Sequence, residues 1–300
     1  MARRRERPHA ELMPRWLPIA LVQSDPLPVR TSGVDLGAFA ADVRATLDRF
    51  PQTRLVVYPE LHLFGDQAGN PELAEPIGGR RTRDLAELAG ELGIWLLPGT
   101  LCERADSTAV YNTAALFSPD GQLAGTYRKC FPWRPYEPYR PGTGFTVIDL
   151  PGLGRVGLSI CYDAWFPEVA RQLAWMGAEV IINPTQTTTS DRAQELVLTR
   201  ANAIVNQVFV VSPNAAAPTG VGQSLVVDPE GRVRVRAGRA AEVLTDVIDF
   251  DEVARVRAYG TAGLNRMWHQ FRPDDEPLEL PVYGGRIDPR TWTPKQEGTP

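Results

Sequence analysis

The sequence has few of the residues from which metal centres and disulfide frameworks are built. Its 300 residues include three cysteines and three histidines, and no regular spacing relates them. An odd number of cysteines without a repeating pattern argues against a disulfide framework and favours a reducing compartment, so we expect a cytoplasmic protein. A zinc site would need several ligands at recognisable spacing, which His9, His62 and His269 do not provide. We therefore expect no bound metal.

The sequence also lacks long apolar runs and an excess of positive charge. No apolar run approaches the roughly 20 residues that a membrane-spanning helix needs. Basic residues number 32 and acidic residues 36, and no basic stripe is visible beyond the N-terminus, which argues against nucleic acid as a partner. Residues 1–14 are charged and lack the apolar core of a signal peptide, so we interpret them as a disordered tail. We expect neither a membrane nor a nucleic acid as partner.

Apolar residues make up 43% of the chain, enough for the core of one large domain. Their spacing predicts strands that alternate with helices in both halves, with hairpins inserted, which is typical of the α/β class. Predicted strands cover residues 17–23, 54–58, 94–97, 111–117, 122–127, 157–160, 179–183, 208–212, 222–227 and 243–248. Predicted helices cover residues 36–50, 85–92 and 167–177, and a fourth begins near residue 190. Proline and charge increase from about residue 272, so we expect a domain over residues 15–271 and an extended arm over 272–300.

Cys161 lies where a predicted strand passes into a helix. Residues 157–160 are mostly apolar, and Pro167 and Glu168 open a helix that runs to about Gly177. The N-terminal end of a helix dipole favours a thiolate over a thiol. Cysteine is also common as a small buried apolar residue, so this segment alone is compatible with either a nucleophile or a core position.

Two further strand-like segments each end in a charged residue. Pro59 ends the strand over residues 54–58 and leaves Glu60 at its carboxyl end, where open α/β sheets have their sites. The segment 125–129 carries Lys129 into a loop rich in proline and aromatic residues, an unusual composition for a solvated turn. An acid, a base and a thiol thus follow three strands, at intervals of 69 (129−60) and 32 (161−129) residues.

Together these segments resemble the carbon–nitrogen hydrolases, the nitrilase superfamily. The resemblance spans roughly residues 17–250 and rests on motifs in the expected order: Tyr-Pro-Glu60, Tyr-Arg-Lys129, Cys161-Tyr-Asp, Phe-Pro-Glu168 with Arg171, Gly177 to Pro184, Gly222-Gln-Ser224 and Asp228-Pro-Glu-Gly231. It implies a four-layer α-β-β-α sandwich of two sheets. Two positions depart from the family pattern, which commonly has Arg at the place of Asn202 and Glu at the place of Val205.

The resemblance implies a catalytic role for four residues. Glu60 is the expected base, Lys129 the expected oxyanion support and Cys161 the expected nucleophile. A second glutamate that often follows the lysine corresponds to Glu137, eight positions on (137−129). Amide hydrolysis suits these groups, because a thiol attacks only as thiolate and the leaving amine needs a proton. The backbone N–H of Tyr162 is the second expected oxyanion donor, and the chemistry requires no metal or organic cofactor.

Other assignments remain open for several of these residues. Glu137 has arginine neighbours in the sequence, so an ion pair with one of them is the alternative to the site role, which we favour. His62 follows Glu60 by two residues and permits a Cys–His protease, although no histidine lies near the cysteine motif. Four aromatic residues near the catalytic segments are candidates for substrate binding, with plain core packing as the alternative: Trp133, Tyr136, Tyr162 and Trp165. Tyr139 is a further candidate for the lining of the pocket, with the same alternative.

The leading functional hypothesis is an amidase that releases ammonia from a small carboxamide. True nitrilases tend to carry Trp-Glu directly after the cysteine, whereas this chain has Tyr162 and Asp163. The alternatives are a nitrilase or N-carbamoyl hydrolase of the same superfamily, or a non-catalytic scaffold with the same fold. The family commonly associates through helices beside the nucleophile segment, so we expect at least a homodimer.

Overall fold

The computed structural model describes residues 14–29, 33–106, 109–270 and 272–287. Their strands form two sheets. The first sheet has the order β13-β1-β2-β3-β5-β4 with β6 paired to β5, and its strands are β1 (Trp16–Gln23), β2 (Leu55–Val57), β3 (Trp95–Leu97), β4 (Thr100–Arg104), β5 (Val110–Phe117), β6 (Leu123–Arg128) and β13 (Glu242–Asp249). The second has the order β12-β11-β10-β9-β8-β7, and its strands are β7 (Thr146–Leu150), β8 (Gly154–Leu158), β9 (Val180–Ile182), β10 (Phe209–Ser212), β11 (Leu225–Val227) and β12 (Val233–Arg236).

The α-helices of the described residues flank these sheets. They are α1 (Leu36–Arg49), α2 (Arg80–Leu92), α3 (Pro167–Trp175), α4 (Arg192–Asn206) and α5 (Phe250–Tyr259). Local sequence sets several ends: the Asp35 side chain accepts a hydrogen bond from the N–H of Ala38 at the start of α1, and Gly93 ends α2 with a φ of 65°. None of the helices in the described part of the chain has the length and apolar character needed to cross a membrane.

Three apolar clusters separate four layers. The central cluster lies between the two sheets and includes Leu55 and Val57 of β2 and Leu158 of β8. Val56, between the first two, faces the opposite side and packs with α1 and α2, while a third cluster packs the second sheet against α3 and α4. Both faces of the central strands are thus buried, which explains their continuous apolar sequence. The expected α-β-β-α sandwich is confirmed.

Some elements differ from the sequence-based prediction. Strand β8 ends at Leu158, earlier than predicted, and residues 222–224 lie outside β11 because Gly222 and Gln223 both have a φ of 64°. The sequence analysis missed three strands, β4, β7 and β12, and helix α5. Strand β12 alternates Val and Arg and is largely exposed, so it carries little apolar signal.

The predicted N-terminal tail, residues 1–14, falls outside the described residues except for Pro14, and so does the arm beyond residue 287. The described part of the arm, residues 272–287, contains neither an α-helix nor a strand. Its Tyr283 hydroxyl donates a 2.7 Å hydrogen bond to Glu168 on α3. The arm therefore contacts the helix that follows the nucleophile segment.

Candidate active site

Glu60, Lys129 and Cys161 come together at one edge of the sandwich. Glu60 follows β2 and Lys129 follows β6 in the first sheet, while Cys161 follows β8 in the second. The segment after β9 joins the two sheets here: the N–H of Glu60 donates to the carbonyl of Thr185 at 3.2 Å, and the N–H of Cys161 donates to the carbonyl of Pro184 at 3.0 Å. The backbone thus ties Glu60 and Cys161 to one short segment.

The turn that carries Glu60 also needs glycine nearby. Gly99, between β3 and β4, has a φ of +88°, and a Cβ atom there would lie 1.8 Å from the Pro59 carbonyl oxygen. Only glycine permits this close approach of two backbones. The turn is further held by the Thr100 hydroxyl, which accepts a 3.0 Å hydrogen bond from the N–H of Leu61.

The Lys129 ammonium lies fully buried between two carboxylates. Nζ donates to Glu60 Oε1 at 2.9 Å and to Glu137 Oε1 at 2.8 Å. Burial by itself lowers the pKa of Lys129, but Glu60, Cys161 and Glu137 together raise that pKa well above its usual value. The side chain is therefore a fixed positive charge at the centre of the site.

Glu60 is held by donors on both carboxylate oxygens. Oε1 accepts from Asn112 Nδ2 at 2.7 Å as well as from Lys129, and Oε2 accepts from the N–H of Gln186 at 3.0 Å. Burial raises the pKa of Glu60 above its usual value, the nearby Lys129 lowers it, and Glu137 raises it. A raised pKa suits a carboxylate that must take up a proton and later return it.

Cys161 has a left-handed backbone conformation with a φ of 46°, which is uncommon for a residue other than glycine. Burial raises the pKa of the Cys161 thiol well above its usual value, Glu60 raises it further, and Lys129 opposes them. This corrects the expectation of a thiolate stabilised by a helix dipole. A 3₁₀ turn, Cys161–Trp165, separates the thiol from α3, and burial dominates. A group that takes its proton would therefore be needed for the thiol to act as a nucleophile.

Glu137 lies where the resemblance implied. Its Oε1 atom accepts from Lys129, and its Oε2 atom accepts from the N–H of Trp133 at 2.9 Å. Its partner is thus the site lysine rather than an arginine. Asp163, which the sequence analysis used only as a motif marker, has a positioning role: it accepts hydrogen bonds from the Tyr127 hydroxyl at 2.8 Å and from the N–H of Phe131 at 2.9 Å. It joins the nucleophile turn to the lysine segment, and burial raises its pKa to about 6.

A small cavity of about 40 Å³ borders the thiol. Its lining is formed by Trp133, Glu137, Cys161, Tyr162, Gln186, Thr187, Thr188, Thr189, Asp191 and Glu195. Two of the four aromatic candidates thus reach the cavity. Tyr136 is 70% exposed and packs on Trp133 from outside, and Trp165 packs against Tyr162 without joining the lining.

The sequence analysis missed the wall formed by residues 186–195. The signal available was the hydroxyl-rich run Thr-Gln-Thr-Thr-Thr-Ser after β9, which has no apolar periodicity to place it. Asn202, one of the two departures from the family pattern, lies on α4 behind this wall and donates to the Ala164 carbonyl at 3.1 Å. Val205, the other, is 43% exposed.

His62 has no part in the site. Its ring packs against Tyr58 at a centroid distance of 4.8 Å, and burial lowers its pKa to about 3, so the imidazole is neutral. Cys102 is buried beside the Tyr139 hydroxyl, and Cys130 contacts the Gly144 carbonyl. Burial raises the pKa of both thiols, which fits structural cysteines.

A two-sheet sandwich in which a glutamate, a lysine and a cysteine meet beside a small cavity defines a recognisable class of protein. The family model "Carbon-nitrogen hydrolase" matches residues 19–258. The chain belongs to the carbon–nitrogen hydrolase family, as the sequence motifs indicated.

Curated relatives and solved structures agree with this assignment. The chain is 34% identical over 203 residues to omega-amidase NIT2 of Homo sapiens, covering 62% of this chain and 73% of that protein. It is 31% identical over 248 residues to formamidase of Bacillus cereus, covering 77% and 74%. Nit3 of Saccharomyces cerevisiae, a member of branch 10 of the nitrilase superfamily, superposes with a TM-score of 0.73 at 30% identity, covering 81% of this chain and 94% of that one. A variant of the Nesterenkonia sp. AN1 amidase in complex with butyramide superposes with a TM-score of 0.68 at 25% identity, covering 81% and 94%.

Proposed function

We propose that this protein is an amidase that hydrolyses a small carboxamide through a thioester on Cys161 and releases ammonia. The observation that carries the proposal is the buried Lys129 ammonium, bonded to Glu60 and Glu137 beside the thiol. This arrangement supplies a base, a nucleophile and a fixed positive charge around one small cavity. The printed names of the relatives, omega-amidase, formamidase and amidase, support the same activity.

In the first half-reaction, Glu60 takes the thiol proton while the Cys161 sulfur attacks the amide carbon. The charge that develops on the amide oxygen is stabilised by the Lys129 ammonium and the backbone N–H of Tyr162. As the tetrahedral intermediate collapses, the C–N bond breaks and Glu60 gives its proton to the departing nitrogen. The products are ammonia and an acyl thioester.

In the second half-reaction, water replaces ammonia. Glu60 takes a proton from the water while the water oxygen attacks the thioester carbon. The C–S bond then breaks, and Glu60 returns the proton to the Cys161 sulfur. Glu137 fixes Lys129 in place through their 2.8 Å hydrogen bond and lines the cavity where the water enters. The acid leaves and the enzyme regains its thiol.

The small cavity beside the thiol, about 40 Å³, favours a small substrate. The sequence of the nucleophile turn favours an amide over a nitrile. The two residues after the cysteine are Tyr162 and Asp163 instead of Trp-Glu, and Asp163 is occupied by three hydrogen bonds, from Tyr127, Phe131 and Ile160. Nitrile or N-carbamoyl hydrolysis remains the alternative within the family, and a non-catalytic scaffold the alternative outside it.

A substrate panel scored for ammonia release tests the activity. We expect short amides such as butyramide to be hydrolysed, and hydroxylamine added during turnover to trap the acyl group as a hydroxamate. Mass spectrometry should detect the matching acyl adduct on Cys161. Faster hydrolysis of a nitrile than of its matching amide would overturn the amidase assignment, and no turnover of amide, nitrile or carbamoyl compound would favour the scaffold.

We also propose that the protein forms a homodimer through α3 and α4 and acts in the cytoplasm. Large apolar side chains on these helices are exposed, namely Trp175 at 73%, Val197 at 67% and Val205 at 43%. All three cysteines are free thiols, which supports a reducing compartment. Light scattering at micromolar concentration should give a dimer mass or a multiple of it, and a monomer mass would contradict the dimer.

A further inference from the structure

The cavity wall formed by the first turn of α4 carries a nearly buried carboxylate that is only half bonded. Glu195 is 5% exposed and lines the cavity. Its Oε2 atom accepts from the Thr187 hydroxyl at 2.7 Å and from Arg192 Nη1 at 3.0 Å. Its Oε1 atom accepts no hydrogen bond from any residue that the structure describes. This oxygen is not enclosed by protein but is open to the cavity, so it can accept a hydrogen bond from a donor bound there.

No positive charge of the described lining competes for this oxygen. The lining includes three carboxylates, Glu137, Asp191 and Glu195, and no lysine, arginine or histidine. Lys129 lies behind the lining, bonded to its two carboxylates. Arg192 is buried and donates to Glu195 and to the Gln223 carbonyl, away from the cavity.

The arginines of the loop after Lys129 do not add a positive charge to the cavity lining. Arg140 forms a 2.8 Å ion pair with Asp106 and lies over the ring of Tyr111, outside the cavity. Arg134 is exposed and does not belong to the lining. Within the lining, Glu137 is paired with Lys129 and Glu195 with Arg192, which leaves Asp191 as the carboxylate without an ion pair among the described residues. Its negative charge attracts a cation and repels an anion.

We infer that Glu195 and Asp191 form a subsite for a positively charged group, and that the preferred substrate is a small carboxamide whose acyl chain carries an ammonium. The inference rests on the proposed amidase activity and names its substrate class. The ammonium donates to Glu195 Oε1, Asp191 at the rim adds a second negative charge, and the amide carbon lies at Cys161. Acyl chains that end in a carboxylate are excluded by the same charges.

Pairs of amides with the same shape and different charge test this subsite. Butyramide and β-alaninamide differ by a methyl and an ammonium group, as do propionamide and glycinamide. At pH 7 we expect kcat/KM for each cationic amide to be at least tenfold above that of its neutral partner, and succinamate to be at least tenfold below butyramide. Equal values within a pair, or a preference for succinamate, would overturn the subsite.

Substitutions locate the effect. We expect Glu195→Gln to reduce the preference for β-alaninamide over butyramide at least tenfold, and Asp191→Asn to reduce it severalfold. Glu103→Gln is the matched control, because Glu103 is also nearly buried and bonded to a threonine and an arginine, Thr113 and Arg128, but is absent from the lining. It should leave the preference unchanged. An unchanged preference in Asp191→Asn and Glu195→Gln alike would contradict the assignment.

Inhibition of the wild-type enzyme keeps the test decisive if Glu195→Gln does not fold. Propylammonium should compete with butyramide at least tenfold more strongly than propanol, and added salt should reduce this difference. Equal inhibition by both would refute the subsite. Butyramide hydrolysis separates the two proposals. If butyramide and β-alaninamide are hydrolysed equally well, the subsite is wrong but the amidase proposal stands. If no amide is hydrolysed, both the amidase proposal and the subsite are wrong.

Discussion

The half of the site that comes from the first sheet and the half that comes from the second differ in how completely their polar groups are bonded. In the first half, Glu60 accepts hydrogen bonds on both oxygens, and the Lys129 ammonium is enclosed by carboxylates. In the second half, Cys161 has a strained backbone beside an open cavity, and Glu195 has one oxygen without a partner among the described residues. The first half is fully bonded within the protein, whereas the proposed subsite in the second half needs a bound donor to complete its hydrogen bonds.

Removing the nucleophile breaks the second half without disturbing the first. Cys161→Ala should lower the rate of ammonia release at least about a thousandfold, since catalysis then loses its covalent step. The fold should be retained, because alanine is smaller and leaves the backbone hydrogen bond to Pro184 intact. Ammonia release and thermal unfolding measure the two effects. Wild-type turnover by the variant would contradict the mechanism.

Changing the base should have nearly as large an effect. In Glu60→Gln both proton transfers are lost, so we expect a loss of several hundredfold or more in kcat. The wild-type rate should fall as pH decreases through a value above the usual glutamate range of about 4.3, because burial raises the pKa of Glu60 and only the carboxylate accepts the thiol proton. The pH profile of kcat/KM checks this limb. If Glu60→Gln retained some activity and its rate fell at the same pH, the group responsible for the fall would be another residue.

Removing the lysine should break the first half in both activity and stability. Lys129→Met leaves Glu60 and Glu137 without their shared cation, and we expect a loss of about 3–5 kcal/mol in the free energy of unfolding at pH 7. Activity should fall about a hundredfold or more through loss of the oxyanion donor. Denaturant unfolding and ammonia release measure the two losses.

The stability loss of Lys129→Met should depend on pH with a defined sign. Without the ammonium, the pKa of Glu60 in the folded variant rises further above the pKa of about 4.3 that it has in the unfolded chain. Protonation of Glu60 therefore stabilises the folded variant, and this stabilisation is fully present below a pH of about 4.3. It is lost as pH rises through the pKa of Glu60 in the folded state. The loss relative to wild type should therefore be smaller at pH 5 than at pH 8. Arg44→Met, which removes an exposed ion pair with Glu91, is the control and should cost about 1 kcal/mol or less. An equal loss at both pH values would argue against a buried carboxylate as its source.

The smallest effect separates the aromatic residues inside and outside the cavity. Trp133→Ala should raise KM for butyramide at least about fivefold, because its ring lines the cavity. Tyr136→Ala should change KM less than about twofold, because Tyr136 is 70% exposed and outside the lining. Steady-state kinetics of both variants check the difference. Similar effects would show that the outer ring also contacts substrate.

The sequence predicted the first half of the site better than the second for a physical reason. Glu60 and Lys129 each follow a predicted strand, but an acid or a base at a strand end is a weak signal by itself, and the family resemblance assigned their roles. The wall over residues 186–195 is polar and irregular, so neither periodicity nor strand ends indicate which side chains face the thiol. The state of Cys161 was predicted wrongly, because a pKa depends on burial by distant parts of the chain.

The fold shows the same division. Strands with continuous apolar sequence, such as β1 and β10, were predicted to within a residue, because burial on both faces leaves a dense apolar run. Strand β12 and helix α5 were missed, since β12 is mostly exposed and α5 follows β13 directly without an intervening loop. The pairing of strands into two sheets came from the family resemblance, because local sequence does not encode contacts between distant segments.

The backbone hydrogen bonds of Glu60 and Cys161 to the neighbouring carbonyls of Thr185 and Pro184 have a mechanical consequence. Two sheets packed through side chains can shift slightly against each other as the molecule vibrates. At this edge, however, the acid from one sheet and the thiol from the other are both tied to adjacent peptide units. A small shift between the sheets should therefore change the separation of the Glu60 and Cys161 backbones less than it changes that of residues held only by side-chain packing.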